Sequence, residues 1–259
     1  MSEFKSWRAF QSFEKEVSRD RRYVRSNDAE KFLDAVRLSL QSRVSRISEG
    51  RGFWRAQIGH DWRYEEQIRD EVPTAYKPER MKPLSDRAME GRANSKGIPA
   101  LYICSNKRAA MSEVRPWIGS MISLGRFVTA KDLRLVDCSK MPIKTRNPFM
   151  TSPPREDWNS LVWSEIDQAF TKPVTRSDNT GDYVATQILV ELFRDAGFDG
   201  ISYRSAFGEE SKNIALFDLK SANLESCQLH EATSVNFNFL ERDDPYWVKR
   251  SKPTTSRRK

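Results

Sequence analysis

The stretch from Gly91 to Pro116 reads G-R-A-N-S-K-G-I-P-A-L-Y-I-C-S-N-K-R-A-A-M-S-E-V-R-P. Glycine and asparagine mark its first part as a loop, and a short apolar strand is predicted over Pro99–Cys104. A helix is predicted from about residue 106 to 115. The pattern therefore places a basic loop, the strand residue Tyr102 and the helix residue Glu113 side by side. Such an arrangement suits one wall of a site for an anionic ligand that contains a ring.

The predicted helix begins after Ser105, a suitable N-cap, and ends at Pro116. Glu113 lies in its last turn, where the helix dipole disfavours a carboxylate. Local conflicts of this kind are expected at functional sites, although an exposed glutamate at a helix end is also common. Pairing with Arg108 or Arg115 on the same helix is the alternative interpretation of Glu113.

The composition indicates a folded chain with a basic surface. Its 259 residues are 38% apolar and 31% charged, which allows one large domain, with or without a helical appendage. The formal charge is +8 and the pI is near 9.4. A positive surface attracts nucleic acid, phosphorylated small molecules or an acidic protein, but such a charge also serves solubility alone.

Several classes of site lack support in the sequence. The three cysteines form no C-x-x-C pair, and only two histidines are present, so we predict no metal centre and no disulfide framework. Neither a phosphate-binding loop nor a dinucleotide-binding glycine motif occurs. The N-terminus lacks an apolar signal core, and no apolar run approaches the length of a membrane span. A cytoplasmic protein that does not enter a membrane is the expectation.

The first fifty residues predict a helix that ends near Gly50. Asn27 and Glu30 suit a capping box, with Asn27 as N-cap. Apolar residues then recur at helical spacing, at Phe32, Val36, Leu40, Val44 and Ile47. This face indicates a helix packed on the flank of a domain rather than a dedicated binding helix.

The remaining chain mixes strands and helices without strict alternation, which favours the α+β class. Residues 59–90 show no clear period and are predicted to be irregular. Helices are predicted after the caps Asp157 and Asp182, the second followed by Gly197. Strands are predicted over Gly52–Ile58, 118–128, 133–136, 198–203, 213–218, 224–229 and 235–240. Residues 142–154 and 171–180 are predicted loops, and the tail after residue 240 is predicted to be disordered.

Four ordered pieces of this chain resemble the RES family. They are F-W-R-A around Arg55, the stretch G-R-A-N-S-K-G-I-P-A-L-Y, then A-A-M-S-E-V-R-P, and finally G-F-D-G-I-S-Y-R-S followed by N-I-A-L-F-D. The match extends from about Phe53 to Asp218. Each piece is weak by itself, but the four pieces in this order are specific.

The resemblance implies a fold similar to that of ADP-ribosyltransferases: a split, twisted mixed β-sheet with flanking helices and a cleft for NAD⁺. Known members are toxins of toxin–antitoxin pairs that deplete NAD⁺ or transfer ADP-ribose to a protein. A small Xre-like antitoxin covers the cleft and silences them. The resemblance therefore implies an enzyme that uses NAD⁺ as substrate, without a further cofactor, and an antitoxin partner.

By the same resemblance, Arg55, Glu113 and Ser205 are the predicted catalytic residues. The predicted NAD⁺-binding residues are Tyr102, Arg92, Asn94, Asn213 and, with a looser local match, Tyr64. Nicotinamide in NAD⁺ is already a cationic leaving group, so cleavage of its glycosidic bond needs no general acid. A carboxylate against the ribose would stabilise the oxocarbenium-like transition state, an aromatic ring could stack on nicotinamide, and arginines could hold the pyrophosphate.

Other interpretations remain open at this stage. Tyr102 alone would be read as a core or edge tyrosine, Ser205 as a turn residue and Asn213 as a residue that caps a loop. The domain boundaries are predicted as 1–50 for a helical extension, 51–240 for the RES domain and 241–259 for a basic tail. The two flanking parts could contact an antitoxin, form a homodimer or stabilise the domain. Modification of a protein or nucleic acid, and plain binding of nucleic acid, are the competing functions.

Overall fold

The computed structural model describes residues 4–84, 86–140, 152–172, 180–208, 210–237 and 239–240. Its α-helices are α1 (Ala9–Lys15), α2 (Asn27–Ser39), α3 (Lys107–Glu113), α4 (Trp158–Thr171) and α5 (Val184–Asp195). Its strands are β1 (Val44–Ile47), β2 (Gly52–Ile58), β3 (Asp61–Glu65), β4 (Asp70–Thr74), β5 (Leu101–Cys104), β6 (Met121–Thr129), β7 (Leu133–Asp137), β8 (Gly200–Arg204), β9 (Lys212–Leu216) and β10 (Ala222–Glu231).

Eight of these strands form one mixed sheet in the order β1-β7-β8-β9-β5-β2-β6-β10. Only β7 and β8 run parallel, and the other neighbours are antiparallel. Along β2, seven residues pair with β6, but Trp54 and Cys104 form the one pair between β2 and β5. The sheet is therefore nearly divided at this seam. The predicted α+β class with a mixed sheet and flanking helices is confirmed.

Alternation along the strands separates two large cores on opposite faces of the sheet, and a third, smaller cluster packs α3 against β2, β5 and β6. In β5, Leu101 and Ile103 pack into one cluster with Phe127 and Ile214, whereas Tyr102 packs against the other cluster. That second cluster joins β7, β8 and β9 to the apolar faces of α1, α2, α4 and α5. Successive strand side chains point to opposite faces, so Tyr102 necessarily faces the helical layer.

The N-terminal helix is shorter than the apolar spacing predicted. Ser26, rather than Asn27, caps α2, because its Oγ accepts a hydrogen bond from the Ala29 amide at 3.2 Å. The helix ends at Ser39, and Val44–Ile47 forms β1, paired with β7. The spacing of the apolar residues in steps of four and three fits a helix. Backbone pairing with β7 at the edge of the sheet nevertheless makes residues 44–47 a strand. The predicted domain boundaries remain predictions.

Further local predictions need correction. The segment predicted to be irregular contains the two-stranded sheet of β3 and β4. Asn106 rather than Ser105 caps α3, and Tyr183 rather than Asp182 precedes α5, with Asp182 in a short 3-10 turn. The last strand, β10, ends at Glu231, and the described residues of the strand predicted over 235–240 are not in a strand. Asp157 does occupy the N-cap position of α4.

Parts of the two predicted loops (141–151 and 173–179) and the tail from residue 241 lie outside the described residues. The strand over Gly52–Ile58 matches its prediction at both ends. Within the part of the chain that the structure describes, no helix is both long and apolar enough to cross a bilayer.

Candidate active site

A cavity of about 150 Å³ lies at the seam where β2 and β5 separate. Its lining includes Arg55 from β2, Tyr102 from β5, Glu113 from α3 and Asn213 from β9. These four were predicted from distant parts of the sequence. The fold brings them together because the single pair between β2 and β5 leaves the strands free to part, which opens space between their side chains.

Glu113 is held at one oxygen and open at the other. Its Oε1 accepts hydrogen bonds from Ser205 Oγ at 2.7 Å and from Asn213 Nδ2 at 2.6 Å. No hydrogen bond to Oε2 is present among the described residues, and the side chain is exposed. Two donors on one oxygen orient the carboxylate and leave the second oxygen able to accept a hydrogen bond from a ligand.

The position of Glu113 follows from the way α3 begins and ends. Asn106 Oδ1 accepts hydrogen bonds from the amides of Arg108 and Ala109, at 2.8 and 3.1 Å, which starts the helix. The helix ends at Glu113, and the chain then turns at Arg115, whose φ is +50°, immediately before Pro116. The interpretation of Glu113 as the partner of Arg108 or Arg115 is not supported, since its hydrogen bonds go to Ser205 and Asn213.

Ser205 and Asn213 lie at the two ends of the β8–β9 connection. This connection is closed by a backbone hydrogen bond from the Ser205 amide to the Ser211 carbonyl at 2.9 Å. The Phe207 amide also donates to Ser205 Oγ at 3.1 Å. An oxygen that already accepts from a backbone amide is well placed to donate its own proton to Glu113 Oε1.

Two ion pairs hold the strands that carry these donors, and neither pair could be predicted from a local sequence pattern. Arg204, beside Ser205, pairs with the buried Asp167 of α4. Lys212, beside Asn213, donates to Asp137 Oδ2 at 2.7 Å. Burial raises the pKa of Asp167, whereas the hydrogen bonds from Lys212 and Ser139 outweigh burial and lower the pKa of Asp137. These charges stabilise the β8–β9 region rather than face the cavity.

Arg55 brings a half-buried cation to the cavity. Its Nη1 donates to the Tyr102 carbonyl at 3.0 Å, while its buried Nε has no acceptor among the described residues. Burial lowers the pKa of Arg55 to about 10, and the tyrosine opposes this shift. The group is thus protonated at neutral pH. A buried, incompletely bonded guanidinium favours an anionic ligand, because the ligand would complete its hydrogen bonds.

Tyr102 offers its ring to the cavity, but its hydroxyl is already bonded. The hydroxyl donates to Asn94 Oδ1 at 2.7 Å and accepts from the Ala93 amide at 3.0 Å. Burial raises the pKa of this phenol, so it stays protonated near neutral pH. Gly91 lies so close that a Cβ there would be 2.7 Å from the hydroxyl oxygen.

The other predicted binding residues lie outside the cavity lining. Asn94 is buried behind Tyr102. Arg92 Nη1 donates to the Ala169 carbonyl at 2.8 Å, and its guanidinium lies 5.1 Å from the ring centre of Tyr183. Tyr64 is exposed on β3 in the separate two-stranded sheet. Contact of these three residues with a ligand remains a prediction.

Sequence reasoning missed the other residues of the cavity lining, which include Trp54, Cys104 and Tyr203. Trp54 and Cys104 are the pair that joins the two halves of the sheet, so their importance depends on strand pairing. Burial raises the pKa of the Cys104 thiol, which argues against a nucleophilic thiolate. Among the described residues, no cluster of histidine, cysteine and carboxylate side chains could hold a metal ion.

Comparison with known proteins gives a family and a solved structure that this chain resembles. The family model described as the RES domain matches residues 53–239. A chain from the crystal structure of the M. tuberculosis MbcT-MbcA toxin-antitoxin complex aligns over 76% of this chain and 92% of its own length. The two share 14% sequence identity, with a TM-score of 0.41. No curated protein matches the sequence.

Proposed function

Because this chain belongs to the RES domain family, we propose that it is the toxin of a toxin–antitoxin pair and that it cleaves the nicotinamide–ribose bond of NAD⁺. The observation that carries the proposal is the half-bonded carboxylate of Glu113. Its Oε1 is fixed by Ser205 and Asn213, while Oε2 is open in a cavity that also holds Arg55 and Tyr102.

The proposed reaction breaks the bond between ribose C1′ and the pyridinium nitrogen. Nicotinamide leaves as a neutral molecule and takes the bonding electrons, so positive charge develops on the ribose ring. Glu113 stabilises that charge, and its open oxygen accepts a hydrogen bond from a ribose hydroxyl. Water then adds to C1′ and loses a proton, giving ADP-ribose, nicotinamide and H⁺. Phosphate in place of water would give ADP-ribose that carries the phosphate on C1′, together with nicotinamide.

The other groups bind and orient the substrate. The ring of Tyr102 would stack on nicotinamide, and Arg55 would bind an oxygen of the pyrophosphate. Ser205 and Asn213 act through Glu113, since both donate to its Oε1. The cavity of about 150 Å³ is smaller than the ~300 Å³ that encloses a typical small ligand. Only one end of the dinucleotide would be enclosed.

The test compares nicotinamide release by the purified full chain and by Glu113→Gln. Glutamine keeps the shape but loses the charge, so we expect a loss of about a hundredfold or more in kcat. Glu191→Gln is the matched control, because Glu191 is also an exposed glutamate on a helix. Nicotinamide release that requires added phosphate indicates phosphorolysis, and release that continues without phosphate indicates hydrolysis. Absence of release by the wild type would overturn the proposal.

The toxin role has its own test in cells. Expression of the wild type should lower cellular NAD⁺ and arrest growth, while Glu113→Gln should do neither at the same protein level. Co-expression of a small neighbouring Xre-like reading frame should restore growth. Growth arrest by Glu113→Gln equal to that by the wild type would contradict NAD⁺ cleavage as the cause.

Transfer of ADP-ribose to a macromolecule is the second candidate. The exposure of Glu113 favours it, because an acceptor larger than water could approach the reacting carbon. Labelled NAD⁺ incubated with lysate and the purified chain decides between the two. Label that enters protein or nucleic acid supports transfer, and label that remains in small molecules supports hydrolysis or phosphorolysis.

A further inference from the structure

Helix α5 contains no predicted site residue, yet one of its side chains binds the loop behind Tyr102. Gln187 Nε2 donates hydrogen bonds to the Gly91 carbonyl at 3.0 Å and to the Asn94 carbonyl at 3.1 Å. The same two loop residues exchange backbone hydrogen bonds, at 2.9 and 3.3 Å. One half-buried amide therefore joins the helical layer to both ends of the loop 91–94.

This loop in turn fixes the hydroxyl of Tyr102. Asn94 Nδ2 donates to the Met89 carbonyl at 2.8 Å, which orients the amide so that Oδ1 accepts from Tyr102 at 2.7 Å. The Ala93 amide supplies the second bond to the same hydroxyl. A continuous series of hydrogen bonds thus leads from Gln187 through the loop to the ring that lines the cavity.

Close packing transmits any shift of the loop to the ring. The position of a Cβ on Gly91 would be 2.7 Å from the Tyr102 hydroxyl and 3.0 Å from Asn94 Oδ1, so no gap separates loop and ring. Arg92 attaches the same loop to α4 through the Ala169 carbonyl. The loop is therefore held by two helices, and Gln187 is the contact that reaches both of its ends.

We infer that Gln187 is a positioning residue that sets the place of the Tyr102 ring for nicotinamide binding. Its effect on nicotinamide rests on the function proposed above, whereas its effect on the loop does not. The inference gives Asn94 the role of orienting Tyr102, in place of the direct contact with NAD⁺ that the resemblance implies. Gln187 itself touches no reacting atom.

The first experiment measures hydrogen exchange at the Ala93 amide in the full chain. Gln187→Met keeps the length of the side chain and removes both donors, so exchange at Ala93 should accelerate about tenfold. Gln168→Met, at an exposed position of α4, is the control and should change nothing at Ala93. Unchanged protection of Ala93 in Gln187→Met would overturn the inference, whatever the enzyme does.

The second experiment measures the affinities for nicotinamide and for ADP-ribose separately. Gln187→Met should raise the Kd for nicotinamide about tenfold and leave the Kd for ADP-ribose unchanged. Equal weakening of both ligands would indicate general damage and contradict a positioning role. If the wild type binds neither ligand, the proposed function fails, and hydrogen exchange at Ala93 still decides whether Gln187 holds the loop.

A third variant supplies a rescue. Gln187→Glu places a carboxylate against two carbonyl oxygens when ionised and can donate one hydrogen bond when protonated. Its nicotinamide affinity should therefore recover as the pH falls through the pKa of that carboxyl. Gln187→Met should show no such recovery, and a recovery in both variants would contradict the inference.

Discussion

The two walls of the cavity are built in opposite ways. The Glu113 wall is exposed, and its carboxylate has one oxygen anchored and one open. The Tyr102 wall is closed, because Asn94 and Ala93 use both hydrogen-bonding functions of the phenol. One wall therefore supplies a charged group that can still bind a ligand, and the other supplies a ring face at a fixed place.

The difference follows from the cost of unsatisfied polar groups. A buried hydroxyl without partners costs about 1–3 kcal/mol, so the phenol of Tyr102 must be bonded within the protein. An exposed carboxylate exchanges water for a ligand without that penalty. Glu113 and Arg55 are the side chains that the fold leaves partly bonded, and we propose that they act on the ligand.

The largest effect is expected when both donors to the Glu113 wall are removed. The double variant Ser205→Ala with Asn213→Ala takes away both hydrogen bonds to Oε1 and frees the carboxylate to rotate. Because hydrogen bonds to charged groups contribute about 1.5–3 kcal/mol each, nicotinamide release should fall by about a hundredfold or more. The measurement is kcat/KM for NAD⁺ in the double and both single variants.

The single variants decide whether the two donors act as one unit. If each single variant lowers kcat/KM nearly as much as the double variant, Glu113 Oε1 needs both hydrogen bonds. A double variant with wild-type activity would show that Glu113 needs no orientation. Ser112→Ala, on the same helix as Glu113, is a control for general damage to α3.

A smaller effect is expected at Arg55, which lies between the walls. Arg55→Met should raise the Kd for NAD⁺ about tenfold at neutral pH, because a buried charge-assisted hydrogen bond is lost. Burial lowers the pKa of Arg55 to about 10. In the wild type, NAD⁺ affinity should therefore fall as the pH rises through about 10, and in the methionine variant it should not.

Stability should change with pH in the opposite direction to NAD⁺ affinity. Below pH 10 the buried charge of Arg55 costs stability, and that cost falls as the pH rises from about 10 toward the ordinary arginine value. Arg63→Met, on the exposed hairpin strand β3, is the matched control. Equal pH profiles for the wild type and Arg55→Met would contradict the placement of this charge at the pyrophosphate.

The smallest effect on catalysis is expected at the Tyr102 hydroxyl. Tyr102→Phe keeps the ring but leaves Asn94 Oδ1 and the Ala93 amide without a partner. Stability should fall by about 1–3 kcal/mol, and the Kd for nicotinamide should rise about tenfold, as in Gln187→Met, because the hydrogen bonds that place the ring are lost. At a temperature where the variant is folded, kcat should change less than about threefold. Thermal denaturation, nicotinamide binding and nicotinamide release measure the three effects.

Tyr102→Leu tests the contribution of the ring itself, because it removes the ring as well as the hydroxyl. Nicotinamide affinity should be lost in Tyr102→Leu but should be only about tenfold weaker in Tyr102→Phe. A large loss of kcat in Tyr102→Phe, with little change in stability, would show that the hydroxyl takes part in the reaction.

Local sequence signals predicted much of the fold correctly. The aromatic and apolar residues around Arg55 identify β2 at both ends, and the strand predicted over Pro99–Cys104 contains β5. A helix carrying Glu113 was predicted, with its cap one residue too early. Each of these features depends on residues that are adjacent in the chain, so it can be predicted from a short segment of sequence.

The errors occur where contacts distant in sequence decide the structure. Val44 and Ile47 fit a helical face, but pairing with β7 makes them a strand. The hairpin of β3 and β4 has no clear period, because its two strands form a separate exposed sheet. The roles of Asp137, Asp167 and Gln187 depend on partners 30 or more residues away.

The sequence by itself determined the α+β class, the family and the residue types of the candidate site, because motifs and periodicity are properties of short segments. Only the tertiary structure decided which of those residues share a cavity. The single pair between Trp54 and Cys104 opens the sheet there, and the β8–β9 connection brings two donors to one oxygen of Glu113. These relations arise from strand order, since hydrogen bonds between distant segments exist only after the sheet has formed.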